Sequence, residues 1–432
     1  MAELIANLGV VALGVALLAI VQQRFRKDEA SWLQLSLLAH LGATFVQLGL
    51  VWYVYGTGDV LSYHLFGTYL ANAFWDDPAY MLPQIATIIL GGEPAISIPL
   101  FGGANTRAMV ALTSLACVPL ANSMTAVSMF FAMVSFFGKV MMYGAVRDLF
   151  PWVERKYLFL AVLFVPTTVL WSAGIIKEGI AMAGLSMVVW ALVRPSRLPI
   201  RVGLFVVGAF LITTFKAYIL VAAGLAIGAY YYLVRAAQRG VLEIRPLPLI
   251  ASALVAFVAI YAVGYFVPRF SLEGLVEETA RMQQAAVRSK GGSTYSLGGS
   301  YASSLSAQLV LAPLGLLTGL YRPSILDARN PQMLVNGLET LAFLVFSARP
   351  FINRTLRAQV RPRLLAQPFL GFAIVFTLVF GTGTGLTAAN LGVDGLDLSS
   401  SAGAQASIDA IDAALKQVGC EGMSQAVWCD AV

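Results

Sequence analysis

The chain has 432 residues, 59% of them hydrophobic and only 12% charged, about half the charged share of a soluble globular chain. Apolar runs recur along most of its length, which excludes a soluble enzyme carrying a single anchor. The formal net charge is +6, yet the lysines and arginines sit in short loops between apolar runs rather than on one face or motif, so nucleic acid is set aside as a partner.

Taken in chain order, the first apolar run covers about residues 2–21 and is followed by Arg24, Arg26 and Lys27. A cleaved signal peptide carries its charges before the apolar region, so this order predicts a retained span with the N-terminus outside. A second span, about 32–54, returns outward. The next loop, 55–120, is long and holds GTGDVLSYHLFGTYLANAFWDDP and, later, FGGANTR. About 122–145 crosses inward to Arg147, Arg155 and Lys156. Residues 157–193 are apolar apart from Lys177, Glu178 and a few hydroxyls. A single span needs about 20 residues, so this stretch predicts two short spans meeting at a tight turn that carries the two charges. Arg194, Arg197 and Arg201 close it on the inside. A second hairpin, about 202–214 and 217–234, places Lys216 at its outer turn, with Arg235, Arg239 and Arg245 inside.

A span at about 247–267 leads into a non-membrane stretch, 268–304, that ends in the Gly/Ser-rich SKGGSTYSLGGSYASS. The segment 307–320 is short and contains Pro313. Reading it as a span would put Arg349, Arg354, Arg357, Arg361 and Arg363 outside, so it is read as a re-entrant or surface helix. About 333–346 then crosses inward and 369–383 outward. The expectation is an all-α polytopic bundle of about ten spans, residues 1–385, with large outer loops at 55–120 and 268–331. Most of the 28 lysines and arginines fall in the proposed inner loops. A polar outer tail, 386–432, carries Cys420 and Cys429, between which a disulfide is permitted outside the cytoplasm. Cys117 lies in an apolar segment, and the three cysteines show no metal spacing.

On this topology several polar groups face the outer side: Asp59 with Tyr63 and His64, Asp76 with Asp77, Lys177 with Glu178, Lys216, and Arg322 with Asp327 and Arg329. Ionisable groups at membrane depth mark a site by default. A carboxylate that can deprotonate a hydroxyl, beside cations that hold phosphate oxygens, is what transfer from an isoprenoid-phosphate donor requires. Each residue also has a plainer reading. Asp59 could cap a helix beginning at Val60, His64 could be a solvated loop residue, and Asp76-Asp77-Pro78 could form a turn. Lys177–Glu178 could be a structural ion pair, Lys216 and Lys139 could snorkel to the interface, and Glu339 could bond a neighbouring helix. Asp59 with Asp76 or Asp77 would offer a divalent metal too thin a ligand set to assert one.

GDVLSYHLFGTYLA, with its loop carboxylate Asp59, resembles the GT-C superfamily of polytopic glycosyltransferases. VPTTVLWSAGIIKEGIAMAGL resembles the Pro-x-x-x-x-Trp-x-x-Gly-x-x-Lys-(Asp/Glu) pattern of bacterial relatives of that group, and also the corresponding hairpin of exopolysaccharide and O-antigen polymerases. APLGLLTGLYRPSILDARN, followed by a span with Glu339, is similar to their Arg-Pro segment and later Glu. The resemblance implies a GT-C-like enzyme of the bacterial inner membrane. Its donor would be a polyprenyl-(pyro)phosphate-linked sugar, and its acceptor a saccharide, lipid or protein. Asp59 would be the base, with His64 and Glu178 as further catalytic candidates, and Lys177, Lys216 and Arg322 would hold carrier phosphate. The tail after Asn390 departs from the family, with Val-Asp-Gly in place of an Arg-containing continuation. The alternatives are a lipid-linked oligosaccharide transporter, whose cations would line a path through the membrane, and a non-catalytic scaffold of an envelope complex.

Overall fold

A computed structural model describes residues 1–55, 58–96, 103–151, 153–216, 219, 321, 324–328 and 331–352. Every described element is helical, and no strand occurs among the described residues. The chain divides into two compact units, Met1–Lys216 with Gly395–Val432, and Ala217–Asp394. The expected spans at 217–234, 247–267 and 369–383, the segment 307–320, and Arg322, Arg329, Cys420 and Cys429 lie outside the described residues.

In the first unit, helices α1 (Ala2–Val21) and α2 (Lys27–Leu50) match the first two expected spans in length and apolar character. α1 buries a stripe at four-residue spacing, Ala6, Val10, Gly14 and Leu18, while Leu4, Leu8, Leu13 and Ile20 stay exposed. α2 carries polar residues on its inner face beside Leu33, Leu37, Leu41 and Leu48. It buries Glu29, Ser36, His40, Thr44 and Gln47 and presents Leu35, Leu38, Phe45 and Val46 outward. In water that arrangement would leave the apolar face unsatisfied. In lipid it is the stable one, because polar groups must find partners inside the bundle. A π-helical turn, Val51–Tyr55, ends α2.

The loop expected at 55–120 is itself helical. α3 (Asp59–Asp76), α4 (Pro78–Ile89) and α5 (Ala104–Cys117) pack around Tyr63, Leu70, Met81, Ile85 and Met109. Asp77 caps α4 by accepting the Tyr80 amide at 3.0 Å, with Pro78 at the first helical position. Gly67 lets α3 close on α5, since a Cβ there would sit 2.9 Å from Thr113 Cγ2.

α6 (Met124–Leu149) is the central helix, begun by Ser123, whose hydroxyl accepts the Ala126 amide at 3.2 Å. It packs along α9 (Lys177–Val193) more extensively than any other described pair does. A Cβ on Gly138 of α6 would lie 2.6 Å from the Ala183 Cα. α10 (Leu198–Lys216) crosses α9 just as closely, with Gly184 and Gly208 each against the other's carbonyl oxygen. Small residues at such crossings are how membrane helices gain packing contact.

Residues 155–193 keep the expected out-and-back path, since Arg155 and Arg194 both reach the basic end while Lys177 lies beside Thr106 at the other, but they differ in detail. They form α7 (Arg155–Leu163), α8 (Pro166–Leu170) and the 17-residue α9, and the charged pair opens α9 rather than sitting in a tight turn. Pro166 has no N–H to continue α7 and forces its predecessor out of the helical region. After Leu170 the chain unwinds, with Gly174 at φ +142° and Ile176 extended. Gly174 is required there twice over, by that backbone angle and because a Cβ would collide with the Gln47 amide. The result is one arm, α7 and α8, and a return arm, α9, joined through an unwound stretch, Ser172 to Ile176, that is covered by protein. Four described helices are long and apolar enough to cross a membrane: Ala2–Arg24, Lys27–Val54, Met124–Leu149 and Leu198–Lys216.

In the second unit, α11 (Pro331–Ile352) contains the expected apolar stretch Met333–Phe346. It follows a 3-10 turn, Ile325–Asp327, in which the Asp327 carboxylate accepts the Ser324 amide at 2.8 Å and hydroxyl at 2.7 Å. Asp327 is therefore a capping residue. Glu339 is half-buried on α11.

Candidate functional site

Two ends of the first unit differ in chemistry. The α1–α2 turn, the end of α6, the start of α7 and the end of α9 bring Arg24, Arg26, Arg147, Arg155 and Arg194 to one end. The start of α3, the start of α5 and the start of α9 meet at the other.

At that second end Asp59 is the first residue of α3, where the positive end of the helix dipole favours a carboxylate. Tyr63, one turn on, shares its face and donates its hydroxyl to Asp59 Oδ2 at 2.7 Å. Burial, and then the neighbouring carboxylate, push the Tyr63 hydroxyl far above its ordinary range, so it serves as a fixed donor. Lys177 Nζ lies 5.4 Å over the Tyr63 ring and donates to Thr106 Oγ1 at 2.9 Å. Lys216, at the end of α10, pairs with Glu178 at 2.8 Å, both side chains mostly buried. Asp59, Lys216 and Glu178 all lie within electrostatic range of Lys177.

The sequence grouped Lys177 with Glu178 as one pair, and the fold separates them. Successive residues in the first turn of a helix point about 100° apart, so Glu178 turns to α10 while Lys177 turns to α3 and α5. Asp59, Lys177, Glu178 and Lys216 are brought together. His64 is not: five residues along α3 from Asp59 it faces elsewhere, and its Nε2 contacts the Asn122 carbonyl at 2.9 Å. Burial lowers its basicity, and with a neutral ring it anchors the α5–α6 turn as a donor. Asp76 ends α3, about 25 Å from Asp59 by helical rise, and Asp77 is committed to the α4 cap. No shared metal site joins them, and no group of three or more metal-ligating side chains occurs among the described residues.

A second polar cluster, which the sequence reading missed, lies inside the bundle. Lys139 of α6 is fully buried rather than reaching for the interface. Its ammonium donates to the Thr168 carbonyl at 2.8 Å, to the Ser172 hydroxyl and to His40 Nε2 at 3.0 Å. His40 Nδ1–H is donated to the Ser36 carbonyl at 2.8 Å, which leaves Nε2 as the acceptor. The unwinding after Leu170 explains the Thr168 carbonyl. Its normal partner, the Ser172 amide, turns to Val169 instead at 3.3 Å. Lys139 therefore clamps the unwound segment that leads to Lys177. The available signal was His40, the other of only two histidines and the one set in an apolar span.

No family model, no curated protein and no solved structure matches this chain. The class to which the described residues point is that of helical membrane proteins, on an all-helical fold with four helices long and apolar enough to cross a membrane.

Proposed function

We propose that the protein is a membrane glycosyltransferase or polysaccharide polymerase working at the outer face of a bacterial inner membrane, with a polyprenyl-(pyro)phosphate-linked sugar as donor. The observation that carries the reading is the convergence of Asp59 and Lys177 from separate segments onto one cluster with Tyr63 and Thr106. Asp59 keeps its second oxygen as base for an acceptor hydroxyl while Tyr63 fixes the carboxylate's orientation. Lys177 donates one N–H to Thr106 and has two more directions for phosphate oxygens. Glu178 neutralises Lys216, so that pair shapes the site and Lys177 makes the phosphate contact.

Depth supports a lipid-borne substrate. α9 is 17 residues, about 25 Å long, so with Arg194 at the inner interface Lys177 sits a few ångströms inside a hydrocarbon layer of about 30 Å. A carrier phosphate on a polyprenyl chain approaches from that layer.

The test is transfer by purified protein in vesicles holding the lipid-linked sugar. Asp59→Asn is expected to abolish turnover while donor still binds. Lys177→Ala should cut transfer by about 10²–10³-fold in protein that folds normally, and Glu178→Gln/Lys216→Met should retain most activity. Full activity in Asp59→Asn would refute the reading. About ten spans with both termini outside also belong to this proposal, and a reporter fused after residue 355 should be active only on the cytoplasmic side.

A transporter of lipid-linked saccharide is the second reading, favoured by one observation: Lys139 and His40 place a titratable pair deep inside the bundle, between the two ends. Substrate flux without sugar transfer, lost in His40→Gln, would favour it.

A further inference from the structure

We propose that the basic end of the bundle holds a phosphate group in a pocket walled by Arg24, Arg26, Arg147 and Arg155. The pocket encloses about 550 Å³ where the α1–α2 turn meets the α6–α7 turn, within the roughly 300–1,000 Å³ range of small-ligand sites. It is a full helix length from Lys177 and independent of the reading given to that site.

Two carboxylates, Glu29 and Asp148, also line it, and the arginines outnumber them. Both are already engaged. Fully buried Glu29 accepts the Tyr143 hydroxyl at 2.6 Å, the Arg26 amide at 2.9 Å and Arg155 at 3.2 Å. Asp148 takes Arg194 at 2.8 Å. Arg147 is left between them, with its nearest carboxylate oxygens on Glu29 and Asp148 both at 3.6 Å. That is beyond hydrogen-bond range. Its side chain is only 16% exposed and its guanidinium lies 5.3 Å over the Phe25 ring. A guanidinium shielded from water, held flat by an aromatic face and hydrogen-bonded to no carboxylate among the described residues has its fork of donors ready for an anion. Phosphate matches that fork in a bidentate manner. Arg24 and Arg26, on the more exposed wall, supply the remaining charge. Arg26 is bound only loosely to Asp28, at 3.8 Å.

Phosphate can reach this pocket from the headgroup of a phospholipid in the adjoining leaflet or from solution. Two measurements on the full-length purified protein separate the sources. Native mass spectrometry after extraction from mixed phosphatidylglycerol and phosphatidylcholine vesicles reads lipid retention. Thermal unfolding in neutral detergent, with inorganic phosphate against chloride at equal ionic strength, reads the soluble anion. At least tenfold preferential retention of phosphatidylglycerol, lost in Arg147→Gln, is expected for a headgroup. A phosphate-specific rise in melting temperature, also lost in Arg147→Gln, without lipid preference would assign a soluble phosphate. Arg147 also neighbours the buried Glu29, so Arg24→Gln/Arg26→Gln is the second variant. Its substituted side chains do not bond Glu29, and it should weaken the same signal at least fivefold while folding normally. The proposal is overturned if wild type shows neither preference nor shift, or if either signal survives unchanged in both variants.

Discussion

Lys139→Ala is expected to destabilise the protein by about 3 kcal/mol and to loosen the segment between Leu170 and Lys177. The substitution leaves a cavity in a fully buried position and strands the His40 Nε2 acceptor. It also removes the ammonium that holds the Thr168 carbonyl and the Ser172 hydroxyl in place of a helical amide. Lys139→Met refills the volume without the bonds and still strands the His40 acceptor, so it should recover part of the stability and none of the order. A cysteine at Ala173, fully buried in the unwound stretch, reads that order directly once the three native cysteines are replaced. Its maleimide labelling should be slow in wild type and at least tenfold faster with either substitution at 139. Equal labelling in all three proteins would remove Lys139 from the role of clamp.

Gly138→Val should be similarly damaging by the opposite route. α6 and α9 approach so closely that a Cβ at 138 would fall 2.6 Å from the Ala183 Cα. That neighbour is backbone, which cannot rotate away as a long side chain would. Valine forces the helices apart along the most extensive contact in the described structure, at a cost of roughly 3 kcal/mol. On the other side of α9, Gly184 and Gly208 allow the same approach by α10, so displaced α9 has no slack there. Thermal unfolding in detergent should show the loss, with Gly138→Ala intermediate and Gly9→Ala, whose Cβ meets open space, near wild type. A Gly138→Val protein as stable as wild type would mean that α6 and α9 do not pack in this register.

The sequence made the bundle legible wherever apolar length was the deciding quantity. The helices over residues 2–21, 32–54 and 122–145 needed only hydropathy and the basic residues at one end of each, and each is present. Asp59, Lys177, Glu178 and Lys216 were recognisable one by one because charge is rare in this chain, and the fold gathers them. Their partners were not recognisable. Pairing Lys177 with Glu178 from adjacency failed because neighbours on a helix diverge, and Thr106 carried no mark distinguishing it from any loop hydroxyl. The break in residues 157–193 was visible in Pro166 and Gly174. The chain does turn back there, while the unwinding before Lys177 and the shortness of α7 and α8 leave no trace in hydropathy. His64 looked catalytic only by its proximity to Asp59 in sequence, and the 3.6-residue period turns it to the far side of α3.

Lys139 also constrains how the chain can be made. When α6 leaves the ribosome its ammonium has no carboxylate to neutralise it, and a lysine at the centre of an inserting helix is opposed by roughly 2.5–3.5 kcal/mol. His40 has already been synthesised by then, but Ser172 follows 33 residues later, a delay of about 2–7 s at ordinary elongation rates. During that interval α6 can satisfy only one of its three acceptors, by docking on α2. Membrane integration is therefore expected to be sequential: α2 receives α6, and the arrival of Thr168 and Ser172 completes the polar shell around Lys139. A chain truncated before residue 168 should leave α6 poorly retained in the bilayer and exposed to quality-control proteolysis, although by apolar length alone it is an adequate span.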